Sequence, residues 1–199
     1  MKIGIIGTGN IGSAIARAMV RIGQEVTLAN RRGPTALDGL LKELGPKAKA
    51  GTVEEAAKAD IVFVAVNWSK IPEALAGLSN WSGRIVVDAN NPIEAPAFRP
   101  FDLGGRSSSE VFSEFVPGAK VVKAFNHLQP HLLSGDPRAE GGRRVLFLAG
   151  DDAQAKANVS QLISRLGFAA VDLGSLAQGG RLTQFPGGPL PTLNLVKFD

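Results

Sequence analysis

Gly7-Thr8-Gly9-Asn10-Ile11-Gly12 sets three glycines at the G-x-G-x-x-G spacing. Each has a mechanical job where such a turn receives a pyrophosphate: the first permits a tight turn, the second lets the backbone approach the phosphates, and the third lets a helix pack closely on the preceding strand. Spacing alone is weak in a chain with 24 glycines, so the context decides. About twenty residues on stands Asn30-Arg31-Arg32-Gly33. A carboxylate at this place would accept bonds from the adenosine ribose hydroxyls and repel a 2′-phosphate. Two guanidinium groups instead offer charge-assisted, bidentate bonds to that phosphate. NADP is therefore the expected ligand over NAD; the competing reading is that the arginines solvate a loop, as most exposed charges do.

Such residues need a strand, a turn, a helix and a second strand to bring them together, and the flanking sequence supplies these. Met1-Lys2-Ile3-Gly4-Ile5-Ile6 is an apolar run typical of a strand buried on both faces. Ile11, Ala14, Ile15, Ala18, Met19 and Ile22 recur at helical spacing and predict a helix from Ile11 to Ile22, stopped by Gly23. Its free N–H groups and positive dipole end would face the phosphates. Glu25-Val26-Thr27-Leu28-Ala29 reads as the second strand and delivers Asn30, Arg31 and Arg32 to the same edge.

The alternation continues along the chain. A helix from near Pro34 buries Leu37, Leu40, Leu41 and Leu44, a short strand covers 47–50, and the Thr52 to Glu55 capping-box spacing opens another helix. The nearly unbroken run Asp60 to Val66 predicts a central parallel strand, followed by a helix over 69–78 and a fifth strand over 83–88. An irregular connection over 94–106, a helix begun at Ser107 to Glu110, and a sixth strand over 119–125 complete the first part. The fold class is α/β: a doubly wound parallel sheet of the Rossmann type, with an NADP-binding domain over 1–127 and a small C-terminal βα extension over 128–199 completing the active-site cleft. The extension reads as strand 144–149, helix 152–166 and strand 168–173. The tail over 178–199 contains Pro186-Gly187-Gly188-Pro189-Leu190-Pro191 and reads as a loop or strap rather than an element. It either folds over the active site or makes a subunit contact through Leu193, Leu195, Val196 and Phe198.

In open α/β sheets the ligand lies outside the carboxyl ends of the strands, which makes the loops there candidate binding residues. Asn67 and Trp68 follow the fourth strand, Trp68 set either against the adenine or ribose or into the core beneath the next helix. Asn90, Asn91 and Pro92 follow the fifth. Asparagine carries donors and acceptors that suit a nicotinamide carboxamide and suit turn backbone equally. Asn126 and His127 follow the sixth and would border the reactive end of the cofactor. His127 is the candidate catalytic residue, bonding an acceptor ring or relaying a proton, against a plainer role capping a turn and pointing to solvent. His131 reads as structural.

Bulk composition excludes several classes. With 199 residues, 44% hydrophobic and 20% charged, the chain can bury a sizeable core and is not expected to be disordered. The absence of cysteine removes disulfides, thiolate nucleophiles and cysteine metal sites, and two histidines leave little for a metal centre, so metal-free chemistry is expected. The net charge of +4 is dispersed and accompanied by no recognition motif, which argues for an anionic small molecule and against nucleic acid. No apolar run reaches the length of a membrane span and no signal pattern opens the chain, so a cytoplasmic protein without a membrane partner is expected, as a homodimer burying the apolar tail.

On these residues the chain resembles the F420-dependent NADP reductase family, to which the cytosolic domains of certain membrane ferric reductases are also similar. The resemblance covers nearly the whole chain: Gly7 to Gly12, Asn30-Arg31-Arg32, Val66-Asn67-Trp68, Pro92, Ala124-Phe125-Asn126, and Ala149-Gly150-Asp151-Asp152 leading to Asp172-Leu173-Gly174-Ser175-Leu176. It implies NADP lying across the strand ends, with Val66 and Ala124 joining the residues that hold it. It also implies a hydride exchanged between nicotinamide C4 and a stacked deazaflavin, coenzyme F420, or a flavin in its place. In such an enzyme the protein mainly holds two planar rings face to face, and no side-chain nucleophile is required. Two departures concern the acceptor: typical F420-using members carry histidine where Asn126 stands, and they form a helix near the C-terminus where this chain has the Pro-Gly strap. Reduction of another small acceptor, a ferric chelate or an imine, and a non-catalytic NADPH-binding sensor or partner module are the competing functions. The imine route is disfavoured because the helical half that completes such sites is absent.

Overall fold

A computed structural model of the chain describes residues 1–78, 81–94 and 97–198. The first part comprises β1 (Ile3–Ile6), α1 (Asn10–Arg21), β2 (Val26–Ala29), α2 (Asp38–Leu44), β3 (Ala48–Ala50), α3 (Val53–Ala57), β4 (Ile61–Val64), α4 (Ile71–Leu75) and β5 (Ile85–Asp88). There follow β6 (Ile93–Glu94), β7 (Arg99–Pro100), α5 (Ser108–Ser113), β8 (Lys120–Ala124), α6 (Pro130–Ser134), β9 (Arg138–Ala139), β10 (Gly142–Gly150), α7 (Ala153–Arg165), β11 (Ala169–Asp172), α8 (Leu176–Thr183) and β12 (Val196–Lys197). Local chemistry accounts for many of these bounds. The expected capping box forms at the start of α3, where the Thr52 hydroxyl accepts from the Glu55 N–H, and the helix start at Ser107 proves to be a second one, the Ser107 hydroxyl accepting from the Glu110 N–H at the start of α5; each glutamate bonds back to its cap.

Strands β3, β2, β1, β4, β5 and β8 lie in that order and run parallel. This is the doubly wound arrangement, whose winding reverses between β1 and β4 and opens a crevice at their carboxyl ends. One half of the core packs Ile5, Ile15, Met19, Phe63 and Phe125 on one face of the sheet, and the other packs Val62, Val64, Trp68, Trp81 and Phe112 on the opposite face.

The expected C-terminal β-α-β unit forms as β10, α7 and β11, and it joins the parallel sheet with its strands reversed. Strand β10 lies antiparallel to β8, Leu148 opposite Ala124, and β11 then runs parallel to β10. The connection from β8 to β10 carries the five-residue α6 and the two-residue β9. The chain therefore re-enters from the carboxyl ends.

The tail also differs from a plain strap. It contains α8, whose start is capped by the Ser175 hydroxyl accepting from the Gln178 N–H, and β12, antiparallel to β10 with Val196 opposite Arg144. Gly179 and Gly180 weaken a helix by propensity, yet close packing calls for a small residue here: a Cβ on Gly179 would lie 2.6 Å from the Leu173 carbonyl oxygen and 2.7 Å from the Ala149 Cβ. The strap proper joins α8 to β12, and Leu193, Leu195 and Phe198 beside it are exposed. The helix expected over 69–78 is a 3-10 turn, Trp68–Lys70, followed by the short α4. Within the connection expected over 94–106, β6 and β7 pair with Ile93 opposite Pro100, while residues 95 and 96 lie outside the described residues. Among the described residues no helix is long and apolar enough to cross a membrane.

Candidate functional site

The glycine turn between β1 and α1 is shaped by two different constraints. Gly7 has φ +96°, and a Cβ there would lie 2.2 Å from the Ala65 carbonyl oxygen. A Cβ on Gly12 would lie 1.9 Å from the Gly7 carbonyl oxygen. The fold itself requires both. Gly9 is different: its φ of −73° and ψ of −164° suit any residue, and a Cβ there would meet nothing within 4 Å. The open space above Gly9 is what a phosphate approaching the backbone needs. Helix α1 starts there with no side-chain cap and no acidic residue in its first turn, so its first N–H groups and dipole are directed at the same space.

Two chambers open from this turn and share Gly9, Ala65, Val66 and Asn67. The first, about 420 Å³, runs past Thr8 and Asn30 to Arg31, Arg32 and Lys70. Asn30 builds its far corner: its amide donates to the Thr8 hydroxyl at 3.1 Å, and its Oδ1 accepts the Arg32 N–H at 2.9 Å. Arg31 and Lys70 lie 3.8 and 3.6 Å from the Glu73 carboxylate. The Arg31 side chain is 72% exposed. Ion pairs of this kind hold their partners by only about 0–1 kcal/mol, leaving the cations available to a phosphate.

The second chamber, about 580 Å³, has largely apolar walls that include Trp68, Phe98, Phe185 and Pro191, and a polar base at Asn126 and His127. Asn10, Ile11, Asn90 and Asn91 also line it. Trp68 takes the core setting, buried beneath α4; it also forms part of the second chamber's wall and does not line the first, where the arginines stand. Three expected residues stand behind the cleft surface. Gly12 packs against the turn, Pro92 is buried with its carbonyl accepting the Phe101 N–H, and Ala124 is buried opposite Leu148.

His127 does not point to solvent. Phe125, at φ +64°, turns the chain inward after β8, and the His127 ring is buried, 4.9 Å from the Phe147 ring. Burial pushes its pKa down to about 4, offset in part by the backbone of Val145, so the ring is neutral at pH 7. Among the described residues neither ring nitrogen has a partner of normal hydrogen-bond geometry, and the buried Oδ1 of Asn126 has none either. Both residues line the second chamber, and their unpaired polar atoms lie just beneath its surface.

Residues 2–92 match the family model described as NADP oxidoreductase coenzyme F420-dependent. A solved structure from Arthrobacter sp. FB24, described as a putative F420 dependent NADP-reductase, is 33% identical with a TM-score of 0.75, over 88% of this chain and 86% of that one. The chain belongs to the F420-dependent NADP oxidoreductase family. It is 48% identical to a hypothetical protein of Sinorhizobium meliloti, with a TM-score of 0.93 over 99% of this chain and 96% of that one. It is also 32% identical to metalloreductase STEAP3 of Rattus norvegicus over 96% of this chain, but spans only 37% of that longer protein.

In this member of the family a buried network supports the cleft, and sequence reading missed it. Lys123 and Asp88, both fully buried, stand opposite each other in β8 and β5, with Nζ 3.0 Å from Oδ2. The ammonium also donates to the Asn90 carbonyl. Burial pulls the Lys123 pKa down and Asp88 opposes the shift. Asp88 Oδ1 accepts from both the backbone N–H and the side-chain amide of Asn90. A lysine between apolar neighbours within a buried strand, with aspartate at the end of the adjacent strand, was the available signal. The side-chain amides of Asn90 and Asn91 are engaged within the chain, the turn-satisfying half of their expected roles.

Proposed function

We propose that this protein binds NADPH along the two chambers and transfers a hydride between it and a deazaflavin such as coenzyme F420, or a flavin, in the second chamber. One observation carries the reading: a cationic corner and an apolar-walled chamber with a polar base meet over a glycine turn whose middle glycine faces open space. Arg31 and Arg32 would hold the 2′-phosphate, and the N–H groups of Gly9 to Gly12 the pyrophosphate. Val66, Asn67 and Trp68 would line the path to the nicotinamide. When bound, NADPH supplies the hydride. The chain's task is then positioning and exclusion of water, which its rigid strand ends and apolar walls suit. His127, as a neutral imidazole, and Asn126 offer hydrogen bonds to the polar edge of the acceptor, and a chamber of this size falls within the usual range for small-molecule sites.

The reading is tested by following the nicotinamide absorbance band when NADPH is mixed anaerobically with the protein and F420, FMN, FAD or a ferric chelate. Oxidation with F420 or a flavin is expected. The metalloreductase likeness along nearly the whole chain favours a second reading, in which a ferric chelate accepts the electrons; oxidation by the chelate alone would establish that one. Binding of NADPH with no oxidation by any acceptor would leave a sensor. A separate expectation concerns Gly9. Gly9→Ala should keep the urea midpoint of the wild type, because nothing in the fold meets the added Cβ, yet weaken NADPH binding by about tenfold or more. Titration by nicotinamide fluorescence alongside urea unfolding checks both halves.

A further inference from the structure

We propose that the neighbouring side chains of Asn90 and Asn91 are positioning residues for opposite walls of the cleft, Asn90 for the wall facing the nucleotide and Asn91 for the wall facing the acceptor. The assignment of ligands to walls rests on the function proposed above; the division itself rests on where each amide bonds.

Asn90 reaches toward β4. Its Oδ1 accepts the Val66 N–H at 2.8 Å, while its amide donates to Asp88 at 2.8 Å. Val66 in turn abuts the glycine turn: its Cγ1 would lie 2.7 Å from a Cβ on Gly7. Asn90 thus sets the separation between the loop after β4 and the turn after β1, the two edges of the first chamber.

Asn91 reaches the other way. Its amide donates to the Asn126 carbonyl at 2.8 Å, and its Oδ1 accepts the Asn126 amide at 3.0 Å and the Phe185 N–H at 3.1 Å. The Asn126 amide donates as well to the Thr183 carbonyl at 2.7 Å. Asn91 and Asn126 thus clasp Thr183 at the end of α8 and Phe185 near the start of the strap. A second tie holds the strap's other end, the Thr192 N–H donating to the His127 carbonyl at 2.8 Å. Phe185, Pro191 and Thr192 line the second chamber and are absent from the lining of the first. Release of Asn91 therefore loosens a wall that the nucleotide corner does not share.

The test uses the full chain as wild type, Asn90→Ala, Asn90→Ser, Asn91→Ala and Asn91→Asp. Three quantities are measured: the Kd for NADPH, amide hydrogen exchange along 185–193, and KM for whichever of F420 and FMN the wild type reduces. Asn90→Ala is expected to raise the NADPH Kd by about tenfold, the equivalent of one good hydrogen bond, with strap exchange as in the wild type. Asn90→Ser serves if the alanine variant does not fold. Asn91→Ala is expected to change the NADPH Kd by less than about twofold, to speed exchange at Phe185 and Leu190 by about tenfold, and to raise KM by a similar factor. Asn91→Asp keeps an acceptor for the Phe185 N–H and should recover part of the KM. Equal changes in NADPH Kd for the two alanine variants, or unchanged strap exchange in Asn91→Ala, would overturn the division. A wild type that binds no NADPH or reduces neither acceptor overturns the proposed function, and the assignment of ligands to walls with it; altered strap exchange in Asn91→Ala would still show the clasp.

Discussion

Replacing Arg31 and Arg32 together by alanine is expected to raise the NADPH dissociation constant by about 30- to 100-fold while changing that of NADH less than about twofold. Charge-assisted hydrogen bonds contribute about 1.5–3 kcal/mol each where well formed. The lower end, or somewhat less, applies here because Arg31 is largely exposed and screened by water. Two such bonds lost give the stated factor. Folding should be unaffected, since among the described residues the Arg31 side chain has only its 3.8 Å contact with Glu73 to lose, and the Asn30 bond to Arg32 uses backbone N–H. Fluorescence titration with both nucleotides, at low and at moderate salt, checks the result. Equal losses for NADPH and NADH would remove the 2′-phosphate from this corner and return the arginines to the role of loop solvation.

Lys123→Met should cost about 3–5 kcal/mol of stability, the range for breaking a buried ion pair from one side. The cause is the carboxylate left behind. Asp88 would keep its bonds from Asn90 but lose the only cation within reach among the described residues, in surroundings that exclude water. Adding Asp88→Asn to Lys123→Met removes the stranded charge and is expected to recover most of the loss, which separates a charge effect from a packing effect. Urea midpoints of the two single variants and the double give the cycle. A single variant costing under about 1 kcal/mol, or a double no better than the worse single, would show that the pair is not held by its charges. Because Asp88 also orients Asn90, and Asn90 holds Val66, the single variant should weaken NADPH binding as well.

The readable parts of the molecule are those whose determinants lie close together in the chain. The glycine turn, α1 and β2 follow from one apolar run, one helical stripe and three glycines within thirty-odd residues. The capping box at Thr52 and the helix start at Ser107 were legible because each needs partners only three residues apart. Strand alternation then predicted the order of elements, and the crevice rule predicted that Asn67, Asn90, Asn126 and His127 would gather at one edge, as they do along the second chamber.

What the sequence by itself determined is therefore the doubly wound core, its family and about half of the residues facing the cleft. Only the tertiary structure decided the reversed direction of β10, the helix running through Gly179 and Gly180, the burial of His127, and the partners of Lys123 and Asn91. The Lys123 to Asp88 contact joins residues 35 apart, and the Asn91 to Phe185 contact joins residues 94 apart. Such pairings depend on which strands become neighbours and in what register, and that is settled by burying both faces of one sheet at once, a condition no local stretch of chain contains.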